Sequence, residues 1–122
     1  MTQENKQLLL VDLSARLPYG VKVKITSRES KNRIVHLTED NICHLTNGWR
    51  SECKPCLFPM SSMTEWQERE LEILMKNSIE SCGMLSPYDC LEMERFFNEN
   101  HLDWRGLIPK GLAIDCTNLN IY

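Results

Sequence analysis

Apolar residues in the first segment, about Asn5 to Arg16, recur every three to four positions: Leu9, Leu10, Leu13 and then Leu17. Glu4, Lys6, Asp12 and Arg16 fall between them, a period that predicts an amphipathic helix. Pro18 disfavours helical geometry at Leu17, and Tyr19-Gly20 supplies a turn, so the helix stops there. Val21 to Thr26 then alternates apolar and polar in strict order, which predicts a strand with Val21, Val23 and Ile25 facing a core. Ser27 to Asn32 is polar loop material, and Arg33 to Leu37 is a second β-prone run, so the two make a hairpin. Thr38 to Asn41 reads as a turn and Ile42 to Leu45 as a third strand.

From Trp49 to Met63 the pattern is irregular, with Pro55 and Pro59 opposing regular helix or a central strand. Thr64 and Gln67 have capping-box spacing, and Glu65, Glu68 and Glu70 crowd the start of the helix they predict. Its apolar stripe is Leu71, Leu74, Met75, Ile79 and Cys82, and Gly83 is its stop. Ser86 and Pro87 open another helix, with the stripe Cys90, Met93, Phe96 and Phe97. The tail from Asp103 to Tyr122 predicts short turns and one further strand.

Strands this short cannot form a stable sheet with both faces wet, so helices must cover one face. The expectation is one α+β domain over residues 1–122. It comprises an N-terminal helix, a small antiparallel sheet of three to four strands, and two helices from the C-terminal half packed on one face. The length of 122 residues and the 42% hydrophobic content suit a single core. No apolar run approaches the roughly 20 residues that span a bilayer, and Met1 to Gln7 has no apolar signal core. A cytoplasmic setting without a membrane partner is therefore expected.

The net charge is −3, but it is unevenly spread. Residues 1–60 carry nine basic and six acidic side chains, whereas residues 61–122 carry five basic and eleven acidic ones. Lys22, Lys24, Arg28, Lys31 and Arg33 cluster on the hairpin. The first reading of that cluster is a solvated edge that discourages sheet-to-sheet aggregation. The functional alternative is contact with nucleic-acid phosphates or an acidic protein surface.

Six cysteines stand at 43, 53, 56, 82, 90 and 116. Cys82 and Cys90 fall in helical apolar stripes and read as buried hydrophobes, and Cys43 and Cys116 read similarly. Cys53-Lys54-Pro55-Cys56 is the one Cys-x-x-Cys pair. A thioredoxin-like site needs the first cysteine at a helix N-terminus, which Pro59 opposes. A zinc site needs two more ligands, for which Cys43, His44, His36 and Cys82 are the weak candidates. Reduced structural thiols are the favoured reading, with no metal. No phosphate-loop, nucleophile-elbow or zincin motif is present, and Glu92 and Glu94 point to different helix faces. His101, near a helix end, reads as a favourable contact with the helix dipole. No enzyme and no cofactor are expected.

Leu10 to Val21 resembles the opening "DL-x-ARLPYGV" of a family of short proteins from gut Bacteroides-type bacteria, their phages and mobile elements. Pro59 to Glu65 resembles that family's "RP-x-SSMTEE" segment. Asp103 to Ile108 with Gly111 to Ile114 resembles its closing "D-Y-RGLI…GLAI". Cys56 stands where the family usually has tyrosine, so the resemblance implies no metal or redox role for Cys53 and Cys56. It implies a cytoplasmic, phage-related or mobile-element setting and no specific activity.

Each matching stretch has a structural reading: a helix stop, a helix cap and a turn closing the core. The functional alternative is that Arg16, Tyr19, Trp104 and Arg105 line a shared binding surface. The function expected is a small non-enzymatic protein-interaction module that binds a protein partner or self-associates. The alternatives are a nucleic-acid-binding module using the basic 22–33 hairpin and a zinc-stabilised domain.

Overall fold

The computed structural model describes residues 2–26, 33–46, 52–82 and 87–122. Its elements are α1 (Gln3–Arg16), β1 (Lys22–Thr26), β2 (Arg33–His36), α2 (Glu39–Thr46), β3 (Glu52–Leu57), α3 (Glu65–Cys82), α4 (Pro87–Glu99) and β4 (Ile114–Asp115). The class is α+β, with an N-terminal helix, a four-stranded sheet and two helices in the C-terminal half. Among the described residues, no helix is long and apolar enough to cross a membrane.

Thr2 caps α1, its hydroxyl accepting from the Asn5 amide at 3.1 Å. Leu9 and Leu13 are fully buried on the inner stripe, with Leu10 and Leu17 packed beside them. The helix stop lies where the proline and glycine place it: a 3-10 turn over Leu17–Tyr19, then Gly20 at φ 70°. That left-handed conformation is costly for any residue with a Cβ. β1 leaves the turn with Val21, Val23 and Ile25 buried against Leu9 and Leu13.

The sheet order is β2-β1-β3-β4. β1 pairs antiparallel with β2 and β3, but β4 runs parallel to β3, so the sheet is mixed rather than wholly antiparallel. The third strand is Glu52–Leu57, within the stretch expected to be irregular, and Pro55 stands in it opposite Val23. Leu57 turns its carbonyl toward the β4 side, where it accepts from the Cys116 amide at 2.9 Å. By alternation Pro55 turns its nitrogen to the same side, before β4 joins at Cys56. Its missing N–H thus falls on the side where no strand pairs with it, so no ladder bond is lost although the residue is buried.

Ile42 to Leu45, expected as a strand, lies in α2. Thr38 Oγ1 accepts from the Asn41 amide at 3.3 Å and Asn41 Oδ1 accepts from the Thr38 amide at 3.1 Å, a reciprocal cap. Glu39 and Asp40 fill the first turn, where the helix dipole favours acids. The supposed turn is a helix start.

α3 opens with the expected capping box, the Thr64 amide donating to Gln67 at 3.0 Å and the Gln67 amide to Thr64 at 3.2 Å. Leu71 and Leu74 of α3 join Met93, Phe96 and Phe97 of α4 in a second apolar cluster with Phe58, Met60, Met63, Leu102 and Trp104. The face of the sheet is closed instead by α1, in the first cluster. Met75 and Cys90, expected inside, are exposed. The Ile79 and Cys82 side chains, the cap at Ser86 and the stop at Gly83 lie outside the described residues.

Candidate functional site

α1 and the segment that follows α4 meet in space. Asp12 Oδ2 accepts from Arg16 Nε at 2.9 Å, one helical turn apart on α1. Asp12 Oδ1 accepts from Arg105 Nη1 at 2.7 Å. Arg16 and Asp12 are fully buried, and Arg16 also donates to the Leu102 carbonyl at 2.6 Å. Burial pulls Arg16 below its ordinary pKa, and the Asp12 carboxylate opposes that pull. Asp103 adds a second buried carboxylate, accepting from the Leu107 and Ile108 amides at 2.7 and 2.9 Å. The result is a buried network that ties α1 to the segment after α4.

This placement decides most of the expected binding surface. Arg16 is sealed inside and presents nothing to a partner. Trp104 is half-buried, stacked on Phe97 with ring centroids 6.0 Å apart, and its Nε1 donates to Asn98 at 3.1 Å. Arg105 lies over the Trp104 ring, 4.0 Å from its centroid. Arg16, Trp104 and Arg105 thus hold the fold together, and Tyr19 is half-buried in the turn after α1.

The basic residues are redistributed by strand alternation. Lys22 and Lys24 stand on the face of β1 opposite the core, and Lys54 of β3 stands directly across from Lys24. Ile34 and His36 of β2, opposite Lys24 and Lys22, complete that face, and both are exposed. Arg33 pairs with Ile25 and so belongs to the other face. Arg28 and Lys31 lie outside the described residues. The cationic face is therefore built on Lys22, Lys24 and Lys54 rather than on the hairpin as a unit. Lys54 carries no local sign of this placement, because only the pairing of β3 with β1 sets its face.

At one end of this face the tail folds over the sheet. The Tyr122 hydroxyl accepts from the Lys22 amide at 2.8 Å and donates to the Cys56 carbonyl at 2.7 Å. It takes the place of a ladder bond between β1 and β3. Lys22 Nζ donates to the Ile121 carbonyl. The His101 ring stacks on Tyr122, centroids 3.8 Å apart and 14° between planes.

His101 itself terminates α4. Its amide bonds to the Asn98 carbonyl at 3.2 Å and that of Leu102 to the Phe97 carbonyl at 2.9 Å, with His101 at φ 57°. This is a Schellman closure with histidine in the position glycine usually fills. Burial first, and then Arg16 and Lys22, lower the His101 pKa to about 4. The expected dipole contact is replaced by a neutral ring packed on tyrosine.

The cysteine pair offers no shared site. Residues three apart in a strand point to opposite faces, so Cys53 enters the inner core while Cys56 lies under the tail. Burial pushes Cys53 up to about 11 and Cys116 up to about 12, and raises Cys56 against the pull of Lys24 and Lys22. Thiols held protonated are poor nucleophiles and poor metal ligands. Among the described residues no group of three or more His, Cys, Asp or Glu is placed to hold a metal ion. No protein-family model, curated protein or solved structure matches this chain.

Proposed function

We propose that the chain is a small non-enzymatic protein-interaction module that docks an acidic protein segment on the outer face of its sheet. The observation that supports this is the cross-strand pair Lys24 and Lys54, two like charges directly opposite each other. Register thus gathers two cations on one face of the sheet, and a partner's carboxylates complement a surface of that sign. Lys22 extends the charge along β1, and exposed Ile34 offers an apolar contact beside it. The resemblance to phage and mobile-element proteins adds a setting in which host or element-encoded partners are at hand.

The test is titration of the chain with a labelled poly-glutamate peptide and, separately, with single-stranded oligonucleotides. The module binds the peptide, and the charge reversals Lys24→Glu and Lys54→Glu abolish that binding. Affinity for oligonucleotides alone, falling steeply with salt, moves the face to nucleic-acid recognition. Peptide binding that survives both reversals removes the reading.

A further inference from the structure

The outward face of α3 carries two large apolar residues that the fold leaves uncovered. Trp66 is 62% exposed and Ile73 is 53% exposed. Seven residues apart, they stand on one side of the helix, two turns from each other. The buried side is taken by Leu71 and Leu74, packed in the cluster shared with α4.

One flank of the Trp66–Ile73 stripe carries Glu65, Arg69, Glu72 and Lys76, all exposed. Read along the helix the order is acid, base, acid, base, at spacings of four, three and four. An order of that kind complements itself when reversed. In an antiparallel pair of α3 helices, Glu65 of one copy comes opposite Lys76 of the other and Arg69 opposite Glu72. In such a pair the same flanks of the two helices meet, so a twofold axis makes each contact twice. In the same alignment Trp66 of each copy stands two residues, about 3 Å along the axis, from the level of Ile73 of its mate, a step the indole spans. A parallel pair sets like charges opposite one another and is disfavoured. These residues also have the spacing of helix-stabilising pairs within one chain, and the intermolecular contacts add to those rather than replace them.

We infer that α3 is a self-association surface through which two copies of this chain pair antiparallel, with Trp66 and Ile73 as anchors and the 65/76 and 69/72 charges fixing the direction. One exposed helix stripe is a small interface, so the dimer is weak and reversible. It lies on a different element from the lysine face and does not depend on what that face binds.

The test is sedimentation velocity of the full chain from about 5 to about 500 μM, a range suited to weak association. Wild type shows a monomer–dimer equilibrium within it. Arg69→Glu weakens the dimer about tenfold or more, because two attractive contacts become repulsive. The double variant Arg69→Glu/Glu72→Arg restores it, and Trp66→Ala removes it. All four positions are exposed, and circular dichroism checks that each variant keeps its helix content. A chain monomeric throughout overturns the inference, as does a dimer indifferent to Trp66→Ala or a double variant no better than the single. Lys24→Glu leaves the dimer unchanged. If that substitution abolishes it, the acidic half of one copy is meeting the basic face of another, and the α3 pairing is wrong.

Discussion

Asp12 and Arg105 stand 93 positions apart in the sequence and 2.7 Å apart in the fold. Because Arg16 occupies the other oxygen of the same carboxylate, the fully buried Asp12 holds two cations, one sealed inside and one partly exposed. Removing one partner of a buried ion pair costs far more than its net worth, since the charge left behind has lost its solvation. Asp12→Ala is expected to destabilise the chain by about 3–5 kcal/mol. Arg105→Ala, which removes a partly exposed cation, costs less, about 1–3 kcal/mol. Urea unfolding midpoints of the two variants measure both, and an Asp12→Ala loss below that of Arg105→Ala contradicts the arrangement.

His101 gives the fold an acid-sensitive joint. Its folded pKa of about 4 lies below the ordinary value of 6.5, so the unfolded chain takes up a proton before the folded one does. The stability linked to this group is complete above pH 6.5 and is lost as pH falls from 6.5 toward 4. At about 1.4 kcal/mol per pKa unit the loss is about 3 kcal/mol at most. Thermal unfolding followed across that window, compared with His101→Phe, isolates it. The variant keeps a ring against Tyr122 and is expected to flatten the slope.

Tyr122→Phe keeps the ring stack but removes the hydroxyl that bridges the Lys22 amide and the Cys56 carbonyl. The exposed Lys22 amide and the part-buried Cys56 carbonyl then lose that partner, which costs about 0.5–1.5 kcal/mol. Amide exchange at Lys22 is the direct readout, expected to accelerate in the variant while exchange at Val23 changes little.

The thiols should sort by burial. Cys90 is exposed, whereas Cys53, Cys56 and Cys116 are buried with raised pKa values. A thiol reagent at pH 7.5 is expected to label Cys90 on mixing and those three only on unfolding, followed residue by residue with mass spectrometry. Rapid native labelling of Cys53 or Cys56 would restore a chemical role for the pair.

The parts of the fold that were legible in the sequence are those written in local chemistry. α1, its stop at Pro18-Gly20, the alternation of β1 and the Thr64–Gln67 box each carry their signal within a few residues. Residues 38–45 are ambiguous in sequence because Thr38, Glu39 and Asn41 serve equally as turn residues and as a helix start, and only the capping bonds decide. β3 was hidden by Pro55, whose tolerance depends on where a strand from the far end of the chain begins to pair. The lysine face needed the register between β1 and β3 to bring Lys24 and Lys54 together. Asp12 had a local sign, its four-residue spacing to Arg16, but its second partner did not. Long-range pairing sets these features, and periodicity does not encode it.

The parallel pairing of β3 with β4 also bears on the order in which the chain assembles. β1, β2 and β3 pair antiparallel in a continuous ladder, while β4 reaches Cys56 only after α3, α4 and the turns behind them have returned the chain to the sheet. Closing so long a loop costs entropy before any contact repays it. Contacts of such sequence separation slow folding. The buried Leu112, Ala113 and Cys116 secure the return, and beyond Cys116 the chain is held by the Lys22 ammonium, the Tyr122 hydroxyl and the His101 ring. The chain beyond Cys116 is therefore expected to dock late and to open locally, with amide exchange running ahead of that in β1.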